Sequence, residues 1–173
     1  YPDVGLEVNV ENVLYCVKYS ERSGRHILTE NDEFRLYDMS ELPKGQYKKV
    51  LFTGSREDID RLSAEFLSRN SDGNKYYFLR SEPTLFELLP INAKKGEAVK
   101  EISKMFNVPI ENICAIGDYY NDVTMLEAAG CSCAVSGAPD EIKDIADYIS
   151  CSCEDGAVAD FISYIESVQI NKR

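Results

Sequence analysis

The second half of the chain alternates short apolar runs with segments whose apolar residues recur at helical spacing. Gly96 to Phe106 has this spacing and predicts a helix. The apolar run Ile113–Ile116 predicts a buried strand, and a helix follows from about Asp122 until Gly130 ends it. Two more strands are predicted at Cys131–Val135 and Tyr148–Ser152. One more helix is predicted to begin at Pro139, and a closing helix carries a stripe of Val158, Phe161, Ile162 and Ile165. Such alternation indicates a parallel sheet with right-handed crossovers.

The first half has a different pattern, because several predicted strands follow one another without a long helix between them. These strands are Leu14–Tyr19, Phe34–Tyr37, Lys48–Phe52, Tyr76–Leu79 and Thr84–Leu89. One helix is predicted after Ser55, with Asp58 three residues later and an apolar stripe of Ile59, Leu62, Phe66 and Leu67. We expect an α/β chain with an α+β module over residues 1–89 and part of a parallel core over residues 90–173.

Composition and charge narrow the classes of partner. Hydrophobic residues make up 44% and charged residues 28% of the 173 residues, as in ordinary globular proteins. A net charge of -11 without a basic cluster argues against nucleic acid or an anionic membrane as the partner. No apolar run is long enough to span a bilayer and no signal-peptide pattern is present, so a cytoplasmic location is expected.

Four of the six cysteines form two pairs, Cys131-Ser132-Cys133 and Cys151-Ser152-Cys153. Thiolate pairs can bind zinc, but this spacing is shorter than the usual one and His26 is distant in sequence. Both pairs fall in predicted strands, where alternate residues share one face. We therefore predict that these cysteines are reduced thiols packed in the core.

The loop after the Ile113–Ile116 strand carries two carboxylates and an amide. Gly117 is followed by Asp118, Asn121 and Asp122. The carboxyl ends of parallel strands open onto the ligand crevice, so these side chains are expected there. Magnesium is held by one or two carboxylates together with water and phosphate oxygens, which makes it the expected ion. The alternative is that Asn121 or Asp122 only caps the next helix.

A lysine pair, Lys94-Lys95, stands before Gly96 at the start of the preceding predicted helix. A helix N-terminus attracts anions, and a lysine adds a mobile positive charge suited to phosphate. Two solvated lysines on a loop are the alternative.

Taken together, these motifs closely resemble the haloacid dehalogenase superfamily. The matching residues are Lys95-Gly96, the amphipathic helix, Gly117–Asp122, Met125-Leu126, Ala129-Gly130 and Ala134-Val135. The chain looks most like the Cof-like subfamily IIB of sugar-phosphate phosphatases, and the resemblance continues through Glu154–Val158. Its first half resembles the α/β cap of that subfamily. The resemblance implies a Rossmann-like parallel core with a cap that governs substrate choice.

The resemblance also implies a magnesium-dependent phosphatase that acts on small phosphorylated metabolites through an aspartyl-phosphate. Asp118 would then be a metal ligand, Lys95 would stabilise the transferring phosphoryl group, and Asn121 would contact phosphate or substrate. Asp122 would support the site or be a weaker metal ligand. A phosphomutase and a non-catalytic phosphate- or metal-binding module are the alternatives.

One family motif is missing from the sequence. The nucleophile motif, Asp-x-Asp after a strand, occurs only as Asp58-Ile59-Asp60, in the first turns of a predicted helix. Thr53-Gly54-Ser55-Arg56 resembles the family's Ser/Thr motif but lies among cap-like strands, so we interpret it as a structural turn. We expect the chain to be a fragment without its nucleophile, inactive alone and able to self-associate through the exposed edge of the Asp118 strand.

Overall fold

The computed structural model describes residues 1–23, 35–69 and 75–170. It divides into two compact units, Tyr1–Ile91 and Asn92–Arg173. His26, the side chain of Leu67 and the chain end Asn171–Arg173 lie outside the described residues. The α/β fold class predicted from the sequence is confirmed, while the roles of the two parts as cap and core stay predictions.

The first unit contains an antiparallel sheet. Its described strands are β1 (Gly5–Val10), β2 (Val13–Lys18), β3 (Tyr47–Thr53), β4 (Tyr76–Glu82) and β5 (Leu85–Pro90), in the order β2-β1-β3-β5-β4. Neighbouring strands in this order all pair antiparallel.

Two sequence-based expectations for this sheet need correction. Strand β1 was not predicted, although it lies inside the sheet; its Glu7 is fully buried, where a charged residue is not expected. The predicted strand Phe34–Tyr37 is wrong over its described residues, because Leu36 makes only an isolated bridge to Cys16. The amide of Tyr37 donates to the Cys16 carbonyl in the same contact, 2.9 Å away.

One helix, α1 (Arg56–Arg69), packs its apolar stripe against this sheet. Ile59 and Leu62 join Val4 and Phe86 in a buried cluster. The rings of Phe52, Phe66 and Phe78 pack around Phe86 of this cluster in stacked, tilted and edge-to-face contacts, with centroid separations of 5.1 to 6.3 Å. The period of the apolar residues therefore gives both the helix and the face that it buries.

The second unit contains a parallel sheet in the order β6-β7-β8, made of Cys114–Gly117, Cys131–Val135 and Tyr148–Ser150. Its helices are α2 (Lys95–Phe106), α3 (Val123–Ala128), α4 (Asp140–Lys143) and α5 (Ala157–Ile170). A core of small and medium side chains joins the sheet to α3 and α4: Ala115, Leu126, Ala134, Ala138 and Ile142. Strand β6 is at one edge of this sheet within the described residues, and self-association through that edge stays a prediction.

Gly130 follows the end of α3 but does not serve as the predicted C-cap. The C-cap residue is Ala129 in an extended conformation, and Gly130 is not left-handed. A Cβ on Gly130 would instead lie 2.2 Å from the backbone oxygen of Glu111. The glycine is therefore required by a close approach of two backbone segments.

The second cysteine pair lies outside the sheet, contrary to the prediction. Strand β8 ends at Ser150, because the amide of Cys151 donates to the Asp160 carboxylate at 2.7 Å rather than to a strand. Cys153 is exposed, whereas Cys133 of the first pair is fully buried. Core packing therefore describes the first pair better than the second.

Among the helices in the described part of the chain, none is long and apolar enough to cross a membrane.

Candidate active site

A cleft of about 740 Å³ opens where strands β6 and β7 end. Lys95, Asp118 and Asp122 lie along its polar side. Its apolar side is lined by Ile116, Met125, Val135, Val158 and Ile162. The crevice at the carboxyl ends of the parallel strands is therefore present, and it holds three of the four predicted site residues.

The carboxylate of Asp122 joins the two charged elements of this cleft. It is only 4% exposed, and one oxygen, Oδ1, lies 2.5 Å from Lys95 Nζ. The other oxygen, Oδ2, accepts the backbone N–H of Asp118 at 3.1 Å. Asp122 therefore fixes the lysine and the start of the loop with a single side chain.

Gly117 makes this arrangement sterically allowed. A Cβ at position 117 would lie 2.5 Å from the Cβ and 2.9 Å from the Cγ of Asp122. Any larger residue would therefore push the carboxylate away from Lys95 and from the Asp118 amide.

The capping alternative for Asp122 is not what the structure shows. Asp122 occupies the N-cap position of α3 but makes no side-chain capping hydrogen bond. Its side chain turns back toward Asp118 and Lys95 instead.

Lys95 is positioned by a close contact between α2 and α3. It is the first residue of α2, and the N–H of the next residue, Gly96, donates to Thr124 Oγ1 at 3.1 Å. A Cβ on Gly96 would lie 2.2 Å from the Thr124 carbonyl oxygen. The lysine side chain stays 48% exposed, so its ammonium group is paired and still accessible from the cleft. Sequence reasoning missed Thr124, since no motif distinguishes it from any other threonine.

Asp118 and Asn121 offer the free polar groups of the loop. Asp118 is exposed, and its carboxylate hydrogen bonds to no residue in the described ranges. Asn121 lies in the 3-10 turn Tyr120–Asp122, and its Oδ1 is buried without a hydrogen-bond partner among the described residues. It is not one of the residues that line the cleft. A buried amide oxygen without a partner is energetically unfavourable, so it is a candidate to accept a hydrogen bond from a ligand.

The donor set fits magnesium through Asp118. No three His, Cys, Asp or Glu side chains of the described residues are grouped as a metal site. Magnesium keeps several waters and takes one or two protein carboxylates together with substrate phosphate oxygens. The free carboxylate of Asp118 suits that role, whereas both oxygens of Asp122 already have partners.

The two motifs that resemble catalytic motifs of the family, Asp58-Ile59-Asp60 and Thr53-Gly54-Ser55-Arg56, lie in the first unit, where their side chains have structural partners. Asp58 accepts from the hydroxyl of Ser55 at 2.8 Å, and Asp60 pairs with Arg80. Thr53 is fully buried, and its hydroxyl bonds to those of Ser20 and Ser23 at 2.7 and 2.9 Å. These contacts agree with the interpretation of both motifs as structural.

Comparisons with known proteins agree with the fold. A family model described as haloacid dehalogenase-like hydrolase matches residues 5–162. The phosphatase YwpJ of Bacillus subtilis is 40% identical over 80 residues, which cover 46% of this chain and 28% of YwpJ. The chain belongs to the haloacid dehalogenase-like hydrolases, and the resemblance found in the sequence is confirmed.

Solved structures give the same fold. A haloacid dehalogenase-like hydrolase from B. subtilis superimposes with a TM-score of 0.74 at 25% identity, over 90% of this chain and 63% of that one. A subclass IIB sugar phosphatase of the superfamily has a TM-score of 0.76 at 16% identity, covering 95% of this chain and 61% of its own. The chain thus spans about three fifths of these structures and less than a third of YwpJ.

Proposed function

We propose that this chain supplies the metal-binding carboxylate and the phosphate-binding lysine of a phosphatase for small phosphorylated metabolites. The observation that carries the proposal is the buried Asp122 carboxylate, which holds Lys95 beside Asp118 at the carboxyl end of the parallel sheet. Sugar phosphates are the first substrates to test, since one fold neighbour is a sugar phosphatase.

Each polar group has a distinct role in this proposal. Asp118 would hold magnesium, which when bound offsets negative charge on the phosphoryl oxygens. Lys95 would neutralise the same group from its place on the polar side of the cleft, because an ammonium group is a compact charge on a flexible stem. Asp122 would keep the lysine and the Asp118 amide in place, and Asn121 would bind substrate or phosphate.

The nucleophile would come from residues outside these 173. The sequence has no Asp-x-Asp motif after a strand, and Asp58 and Asp60 have structural partners in the first unit. The same observation favours a second candidate, a non-catalytic module that binds phosphate or a metal. The phosphatase and the binding module differ in whether the protein encoded by the full open reading frame hydrolyses a phosphate ester.

The test is magnesium-dependent phosphate release from a panel of sugar phosphates, with the full open reading frame compared with the 173-residue chain. We expect turnover from the longer protein alone. Asp118→Asn in that protein should lower kcat by about 100-fold or more, the size of effect found when one charge-stabilising group is removed. Asp140→Asn is the matched control, because its side chain is 93% exposed at the start of α4.

The outcomes separate the candidates. Robust turnover by the 173-residue chain would contradict an external nucleophile. Silence from both proteins would support the binding module, and equal kcat values for Asp118→Asn and Asp140→Asn would remove Asp118 from the site. Phosphate that moves to another position of the sugar, without release, would indicate a phosphomutase.

A further inference from the structure

Two cysteines stand side by side at the end of the parallel sheet opposite the candidate active site. Cys114 and Cys131 are the first residues of β6 and β7, and they are partners in the parallel register. Both line a second cleft of about 450 Å³, whose other residues include Glu111, Asp147 and Tyr164. Their side chains therefore lie on the same face of the sheet and open into the same space.

The backbone separation suits a covalent link between the two thiols. Neighbouring strands lie about 4.7–4.9 Å apart, and the Cα atoms of disulfide-bonded cysteines are usually about 4.4–6.8 Å apart. A zinc site would need further ligands, but no group of three His, Cys, Asp or Glu side chains in the described ranges could hold a metal. Two-thiol chemistry is therefore favoured over metal binding.

The two thiols differ in exposure. Cys114 is exposed, whereas Cys131 is half-buried. Burial raises the pKa of the Cys131 thiol, and the neighbouring Cys114 and Asp147 raise it further. Cys114 is thus the thiol that an oxidant in solvent meets first, and Cys131 is the thiol held beside it.

We propose that Cys114 and Cys131 form a reversible modification site, in which a peroxide oxidises the two thiols to a disulfide between β6 and β7. The Cys114 sulfur attacks one peroxide oxygen and the O–O bond breaks. Cys114 becomes a sulfenic acid, and the other peroxide oxygen leaves as water with the thiol proton. The Cys131 sulfur then attacks the Cys114 sulfur, the S–O bond breaks, and the departing hydroxide takes up the Cys131 proton and leaves as a second water. Two thiols and one hydrogen peroxide give one disulfide and two waters, and a small dithiol reductant reverses the change.

The test is peptide mapping of the full-length protein after brief treatment with hydrogen peroxide. Remaining thiols are alkylated in acid-quenched, denatured protein, and the chain is cleaved after glutamate. Cleavage at Glu111, Glu127 and Glu141 puts Cys114 on one peptide and Cys131 with Cys133 on the next. We expect a cross-link between these peptides that a reductant removes, with loss of two of the six titratable thiols of this chain.

Fragmentation between Cys131 and Cys133 identifies the partner. Cys131→Ser should abolish the cross-link and leave a sulfenic acid on Cys114 that dimedone traps. Cys153→Ser is the matched control and should leave the cross-link unchanged, because that exposed thiol lines the other cleft. A faster cross-link at higher pH is also expected, since more Cys131 is then the reactive thiolate.

Three results would overturn the proposal. The first is irreversible oxidation of Cys114 in wild-type protein with Cys131 still free. The second is a disulfide that joins Cys131 to Cys133 or joins two protein molecules. The third is a cross-link that survives in Cys131→Ser. The wild-type map decides the first two even if the variants fail to fold.

Discussion

The two units of the chain bury different kinds of side chain. The first unit is packed around phenylalanine rings, with Phe86 only 1% exposed at the centre of its cluster. The second is packed around alanines, and some of its large apolar side chains are exposed, Phe106 at 69% and Met105 at 77%. Small residues let helices and loops approach closely, which suits the precise placement of polar groups in the second unit.

Polar side chains follow the same division. In the first unit the hydroxyls of Ser20, Ser23 and Thr53 bond to one another in a buried cluster. In the second unit the Asp118 carboxylate and Asn121 Oδ1 make no hydrogen bond to any described residue. These three hydroxyls of the first unit are used for cohesion, whereas the loop after β6 in the second unit keeps polar groups available for a ligand.

The largest expected effect tests the difference in packing. Phe86→Ala removes a fully buried ring and should lower the free energy of unfolding by about 3–5 kcal/mol. Phe106→Ala, its matched control in the second unit, should change it by no more than about 0.5 kcal/mol, since that ring is mostly exposed. Urea denaturation of the two variants beside wild type measures both values. Similar losses for both would mean that the two units do not differ in this way.

A smaller effect tests whether close approach positions Lys95. Gly96→Ala would place a Cβ 2.2 Å from the Thr124 carbonyl oxygen, so α2 must move away from α3. We expect a loss of about 1–3 kcal/mol in stability, the range for overpacked cores, together with a fall in the proposed phosphatase kcat of the full-length protein. Gly137→Ala is the control, because a Cβ there meets nothing within 4 Å. Thermal unfolding and phosphate release of both variants would decide, and a Gly96→Ala protein with wild-type kcat would contradict the positioning role.

The smallest effect concerns the helix cap in the first unit. Ser55→Ala removes the acceptor for the Asp58 N–H and should cost about 1 kcal/mol. Hydrogen bonds from Ser55, and then from Arg61, hold the pKa of Asp58 below its ordinary value. The carboxylate therefore adds stability at neutral pH, and this is lost as pH falls through the lowered pKa. Urea denaturation of wild type and variant at neutral and acidic pH should show that their difference in free energy of unfolding shrinks in acid. A difference that grows in acid would contradict this role of the Asp58 carboxylate.

The sequence predicted helices and strands best where the spacing of apolar residues alone determines the element. Strand β7 has the predicted bounds, and α2 begins one residue earlier than expected. Strand β1 was missed because its buried Glu7 disguises an interior strand, and β8 was extended too far because a hydrogen bond to Asp160 draws Cys151 out of the sheet. In both places the tertiary environment outweighs the local pattern.

The candidate site was predictable in its members and less so in its connections. The loop motif, the lysine before Gly96 and the family resemblance together predicted Lys95, Asp118 and Asp122 as site residues. All three line one cleft in the structure. The sequence could not show that the two carboxylate oxygens of Asp122 bind Lys95 and the Asp118 amide. Nor could it show that Thr124 accepts a hydrogen bond from the first turn of α2. Those contacts join residues up to 28 positions apart, and they depend on how tightly two glycines let the backbone pack.

The single carboxylate shared by Lys95 and the Asp118 amide makes positions 95, 118 and 122 one design variable rather than three. Groups that share a partner have non-additive mutational effects, so the value of a substitution at one position is set by the residue at the others. A chemist who wishes to adapt this cleft to a chosen ligand would therefore do better to vary the three residues jointly than to screen them in turn.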